Sequence, residues 1–249
     1  MMWLTKHFCT AVLISIAAWG ASPPDAAAAL LRVDLDVGSG NTQSGFESWF
    51  LSSGGATIGS ANFTNSFSYP LAVGNSLDVT MTTSSDTYTR LYSTVTSPPA
   101  AVDYNLLLRD LLFFNNRRGG NNYFQVELDG LLAGSYEFTA WHNASSRVGN
   151  PATTDVLLSV GGSPLADTGL EATLFEANPN GILPAGAPST STLSFVVPND
   201  GDSVVIRYAN PTSHEFGLNA FQLVPEPGTF LLLLSALAGG LLVRRRRAR

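Results

Sequence analysis

The chain has 249 residues, of which 45% are hydrophobic and 13% charged, and a formal net charge of −6. Its basic residues are unevenly placed: five arginines fall in the last six positions, and residues 30–224 hold seven arginines and no lysine against seventeen acids, a net −10. A surface of that sign repels phosphate and excludes nucleic acid as a partner, and a single cysteine, Cys9, excludes a disulfide framework.

The N-terminus reads as a secretory signal over residues 1–29. Lys6 and the amino group supply a positive start, Phe8 to Trp19 (FCTAVLISIAAW) an apolar stretch, and the run Ala26 to Ala29 small-residue cleavage sites. Cleavage after Ala28 or Ala29 removes Cys9, so the exported part carries no thiol.

Residues 30–224 are rich in Ser, Thr, Asn and Gly, which favour turns and strands over helices. Strands are expected at Leu31–Val37, Ser76–Thr83 and Arg90–Val95. The stretch Tyr104–Phe114 (YNLLLRDLLFF) fits a short helix and a doubly buried strand equally well. In Tyr123–Asp129, Phe124, Val126 and Leu128 alternate with Gln125, Glu127 and Asp129. In Ser135–Trp141, Tyr136, Phe138 and Ala140 alternate with Glu137, Thr139 and Trp141. Joined by a short Gly-bounded loop, the two runs predict an antiparallel hairpin with one wet and one buried face. Further strands follow at Asp155–Val160, Ala172–Phe175, Thr192–Val197, Ser203–Tyr208 and Gly217–Val224, with a hairpin turn at Asn199-Asp200-Gly201. About ten short strands predict a single all-β domain, an antiparallel β-sandwich of the jelly-roll kind.

The C-terminus changes character. After Pro225-Glu226-Pro227, residues Gly228 to Val243 carry no charge, and eleven of the sixteen are Ala, Val, Leu or Phe. As a helix this run spans about 24 Å against a bilayer core of about 30 Å, just short of the usual rule for a span. Arg244, Arg245, Arg246 and Arg247 then form a block that resists translocation and stays cytoplasmic. The triplet, the apolar transmembrane run and the Arg cluster together resemble the PEP-CTERM sorting signal, over residues 225–249. The resemblance implies a Gram-negative bacterium that makes exopolysaccharide. It implies an exosortase that recognises the triplet, a transient anchor in the inner membrane, and delivery to the cell surface or extracellular matrix. The body is loosely similar to exported galactose-binding and carbohydrate-binding-module sandwiches. That likeness rests on an opening Arg32-Val33-Asp34 strand, the Tyr123–Trp141 pair of runs and a closing Leu218–Leu223 strand.

Catalytic motifs are lacking in the sequence. His142 and His214 stand without His-x-His or Glu-x-x-His spacing and read as surface residues. There is no Gly-x-Ser-x-Gly elbow. Glu127 and Glu137, on the wet face of the predicted hairpin, are the one candidate carboxylate pair for a glycosidase, and they read more simply as solvated acids. An aromatic beside short polar side chains suits a sugar, so Trp141, with His142 and Asn143, is the glycan-binding candidate. Trp49 and Phe50, after a Gly-containing loop, are weaker ones. No cofactor is expected beyond a structural calcium, for which Asp34, Asp36 and Asn41, or Asp200 and Asp202, offer oxygens. The sequence thus favours an exported, non-catalytic surface protein whose sandwich binds glycan. A structural envelope protein without a small ligand and a polysaccharide-active hydrolase are the alternatives.

Overall fold

The computed structural model describes residues 30–36, 42–49, 57–59, 64–71, 76–84, 87–91, 110–115, 123–144, 152–176, 189–209 and 215–226. Residues 1–29, which read as a signal sequence, and Asn41, Phe50, His214, Pro227, the apolar run and the arginine cluster lie outside them. Among the described residues there are sixteen strands and no helix. In chain order they are β1 (Leu31–Asp34), β2 (Glu47–Ser48), β3 (Thr57–Gly59), β4 (Thr64–Pro70), β5 (Ser76–Thr83), β6 (Thr87–Leu91), β7 (Asp110–Asn115) and β8 (Tyr123–Asp129). There follow β9 (Gly134–Trp141), β10 (Asn143–Ala144), β11 (Ala152–Val160), β12 (Ala166–Glu176), β13 (Thr190–Val197), β14 (Val204–Ala209), β15 (Glu215–Leu218) and β16 (Ala220–Pro225).

Two sheets form the sandwich. One has the order β13-β9-β16-β1-β2 and the other β10-β12-β11-β14-β8-β5-β4, with a smaller sheet β15-β7-β6-β3 beside them. The pairs within each are antiparallel except β1–β2 and β10–β12. Alternation explains the layers. Val126 and Leu128 of β8, Val204 and Ile206 of β14 and Leu77, Val79 and Met81 of β5 are fully buried. They pack in one cluster with Leu31, Val33, Phe138, Phe221 and Leu223 of the facing sheet. Burial of this apolar surface is the main driving force for the sandwich. The ambiguous Tyr104–Phe114 stretch resolves at its C-terminal end into β7, between β6 and β15.

The predicted hairpins are corrected. β8 pairs with β5 and β14, whereas β9 pairs with β13 and β16, so the link 130–134 is an arch between opposite sheets. Gly130 opens that arch with φ at +93°, and a Cβ there would lie 2.4 Å from the Ser76 carbonyl oxygen. The Asn199-Asp200-Gly201 turn is a second arch, from β13 to β14. The two arches brace each other: Gly201 N–H donates to Leu131 O at 2.7 Å, and Ala133 N–H to Asp200 Oδ1 at 2.7 Å. The closing run is also split, because Asn219 separates β15 in the small sheet from β16 in the sandwich. From β8 onward the chain crosses repeatedly between sheets, the behaviour expected of a jelly roll.

Candidate functional site

Three groupings of polar side chains stand out. The first lies on the outer face of the β9-β16-β1 sheet. Register places Trp141, Ala220 and Asp34 in one row across three strands. Parity along β9 thus puts Trp141 on the side the sequence predicts, but that side is not wet. Residues 42–49 fold over it, Phe46 meets Trp141 edge-on at 5.7 Å between ring centroids, and Trp141 is only 5% exposed. The expectation that Trp141 offers a solvent-facing ring is therefore corrected, and Trp49 is likewise buried, against Phe67 and Phe221.

Under the same cover sit two acids. Asp34 and Asp36 are 0% and 2% exposed. Asp34 Oδ2 accepts the Gln43 backbone N–H at 2.7 Å, and Asp36 Oδ2 accepts Thr42 Oγ1–H at 2.5 Å and the Ser48 hydroxyl. The remaining oxygens, Asp34 Oδ1, Asp36 Oδ1 and Gln43 Oε1, are buried and accept no hydrogen bond. Burial, reinforced by the Asp36 charge, pushes the Asp34 carboxyl up to about 7 against the opposing hydrogen bond from Gln43. No His, Cys or further acid joins them to make a group of three or more among the described residues. Three orphaned oxygens and no soft donor are the chemistry of a hard cation such as calcium, not of zinc. The residues fit such an ion: two carboxylates and an amide would hold it, and it would tie the 42–49 segment to β1. The second calcium candidate lies in the arch from β13 to β14, where Asp200 Oδ1 accepts Ala133 N–H and Asp202 Oδ2 accepts Asn199 N–H at 3.1 Å and Asn199 Nδ2–H at 3.0 Å.

The second grouping is buried between the sheets. His142 is 0% exposed, which corrects the surface reading of this residue. Its Nδ1 lies 2.9 Å from Gly217 O and its Nε2 2.8 Å from Ser191 Oγ. A carbonyl only accepts, so Nδ1 carries the proton and Nε2 accepts Ser191 O–H. Ser191 Oγ in turn takes the Tyr208 hydroxyl at 3.1 Å. Burial holds the His142 pKa down at about 4 and raises that of Tyr208. A Ser hydroxyl on a His nitrogen has the form of a nucleophile and base. Here Ser191 is 3% exposed and the ring is enclosed by Tyr208 and Phe216, so the trio is a structural brace. With Trp141 and His142 both buried, neither presents a surface for a sugar, and Asn143 has its place in the two-residue edge strand β10.

The third grouping is the outer face of the larger sheet, which carries the Gln125 and Glu127 of the predicted wet face together with Arg207. Thr82, Gln125 and Arg207 form one row and Thr80, Glu127 and Val205 the next. Arg207 Nε and Nη2 both donate to Gln125 Oε1, at 3.0 and 2.6 Å, and the guanidinium lies 4.0 Å over the Tyr123 ring. Glu127 accepts Ser203 Oγ–H at 3.4 Å. Glu137 is on the opposite sheet, so the proposed carboxylate pair does not exist. The signal available in the sequence was the polar parity of Tyr123, Gln125, Glu127 and Arg207; their partnership required knowing that β8 pairs with β14.

Comparison with known proteins bears chiefly on the C-terminus. Residues 223–247 match the PEP-CTERM protein-sorting motif. No curated protein matches the chain. Among solved structures, the CBM22-1 xylan-binding domain of Paenibacillus barcinonensis is similar over 67% of this chain and 97% of its own, at 10% identity and a TM-score of 0.37. A family 35 carbohydrate binding module from Clostridium thermocellum is similar over 55% and 91%, at 18% and 0.30. TmCBM61, solved in complex with beta-1,4-galactotriose, is similar over 47% and 72%, at 12% and 0.30. None of these carries a residue or a ligand over to this chain, whose identifiable part is a PEP-CTERM sorting motif closing an all-β sandwich.

Proposed function

We propose that the chain is an exported, non-catalytic surface protein, delivered through its C-terminal signal to the polysaccharide outside a Gram-negative cell. The observation that carries this reading is the sorting-motif match over residues 223–247. In it, exosortase recognises Pro225-Glu226-Pro227, the apolar run holds the chain in the inner membrane, and Arg244 to Arg247 keep the end cytoplasmic. Fractionation of cells tests it. Wild type is expected at the surface in a shortened form, and Glu226→Ala in the inner membrane at full length. Surface delivery of Glu226→Ala at the wild-type size contradicts it.

Glycan contact belongs, on this reading, to the polar sheet face. Arg207 and Gln125 fix each other, Tyr123 offers part of a ring, and Glu127 and Thr82 add groups suited to sugar hydroxyls. Arg207→Ala is expected to weaken binding of the exopolysaccharide of the host cell about tenfold, the loss of one good charge-assisted contact. Unchanged binding favours a purely structural body.

A second reading, favoured by the three orphaned oxygens, gives the body a structural divalent cation at Asp34, Asp36 and Gln43. An ion there supplies the positive charge that two buried carboxylates lack.

A further inference from the structure

The sorting motif opens at Leu223, and Leu223 is also a fully buried residue of a strand in the middle of its sheet. Folding and sorting therefore share residues. On one side β16 pairs with β1 as far as Leu223 opposite Leu31, and Leu30 N–H donates to Leu223 O at 2.8 Å. On the other side the pairing runs further: Val224 lies opposite Glu137, Pro225 opposite Tyr136, and Glu226 N–H donates to Ser135 O at 2.9 Å. Backbone groups alternate in direction along a strand, so Leu223 and Pro225 face β1 while Val224 and Glu226 face β9. Pro225, which has no N–H, thus turns its nitrogen to the side where the pairing with β1 has ended, and removes no ladder bond. The first two residues of the triplet lie along β9, and both are half-buried. From Glu226 to Gly228, where the charge-free run starts, there are only two steps of chain, about 7 Å when extended.

We propose that the folded body gates its own processing: Pro225 and Glu226 reach the sorting enzyme only when the end of β16 peels away from β9. A processing enzyme must surround its substrate strand, and here one edge of that strand is bonded to β9 with a sandwich behind it. Strand ends open at far lower free energy than cores. Opening that stops short of Val224 frees Pro225 and Glu226 and breaks the Glu226–Ser135 contact while Val224 stays paired with Glu137, whereas opening past Leu223 exposes the core. The gate is therefore two residues long and closes by itself after each opening. This inference rests on the sorting role proposed above for the triplet.

Pulse-chase labelling of the full chain in exosortase-bearing host cells tests the gate, with four chains compared: wild type, Glu226→Ala, a six-residue Gly-Ser insertion between Val224 and Pro225, and the same insertion between Pro227 and Gly228. The first insertion frees the triplet from β9. The second only moves it from the membrane. The gate predicts that the first insertion speeds conversion to the short form about fivefold, the equilibrium value of one net hydrogen bond, and that the second does not. If the first insertion brings no gain, or the second brings as much, the gate is wrong while the sorting role stands, provided Glu226→Ala still blocks conversion. If Glu226→Ala is converted like wild type, or wild type is not converted at all, the sorting role fails and the gate with it.

Discussion

Two buried polar clusters lie on opposite faces of the same sheet, and they differ in completeness. Around His142, both ring nitrogens have partners, and Ser191 bridges the ring to Tyr208. Around Asp34 and Asp36, three oxygens have none, and two acids share one burial site. The first cluster is satisfied by its own chain. A buried polar group left unpaired costs roughly 1–3 kcal/mol, more when charged, so the second cluster carries a cost that a bound cation would offset. The difference separates a brace that folding alone supplies from a site that folding leaves open.

The largest effect expected from this contrast is on the self-sufficient side. His142→Leu takes the ring acceptor from the Ser191 hydroxyl, which keeps only Tyr208, and the ring donor from the Gly217 carbonyl, and about 3 kcal/mol of stability should be lost whether or not calcium is present. The same substitution should flatten the acid limb of stability. His142 is held at about 4 when folded against 6.5 in the free side chain. The unfolded chain therefore binds this proton first, so the His142 contribution is full above about pH 6.5 and is lost between about 6.5 and 4, by up to roughly 3 kcal/mol, while Asp34, held at about 7 against 3.8, acts in the opposite sense and is common to wild type and variant. Denaturant melts across that range, on wild type and variant, measure both effects. A calcium-dependent loss in His142→Leu would show that the clusters are coupled across the sheet and would break the contrast.

Much of the sandwich was legible from alternation. The sequence placed a strand at Tyr123–Asp129 and one at Ser135–Trp141, and the chain forms β8 and β9 there. Partners were not legible, because a Gly-bounded link of this length serves a hairpin and an arch equally, and alternation reports only which side chains face inward. Trp141 shows the same limit. Its parity is outward, as read, but the 42–49 segment covers that face, and a cover supplied from about a hundred residues away leaves no mark in the local pattern. His142 was missed for a related reason: a lone histidine after a strand gives no sign of Ser191 and Gly217, which reach it from two other parts of the chain. The acidic site was half legible. Asp34 and Asp36 were named for their oxygens, Asn41 lies outside the described residues, and Gln43 went unnoticed because an amide carries no charge to catch the eye. The sorting signal was the most legible feature, since its parts are contiguous, but only pairing shows that its first residues also belong to β16.

The contrast between the clusters turns on the second reading proposed above, in which the acidic cluster, unlike the histidine cluster, is completed by a cation. Thermal melts of the full-length chain in detergent, in excess calcium and in EDTA, test it most directly, with Asp36→Asn melted alongside. At a hundredfold excess over the dissociation constant, calcium should add about 2.7 kcal/mol, or roughly 5–10 °C for a body of this size. Asp36→Asn should lose most of that gain, and its EDTA melt should match or exceed that of wild type, since one buried charge is gone. Terbium in place of calcium should luminesce on excitation of Trp49, whose backbone N–H bonds Asp34 O at 2.8 Å. Coincident wild-type melts in calcium and EDTA, with no terbium signal, would contradict the claim and leave two buried carboxylates to share their site with protons alone.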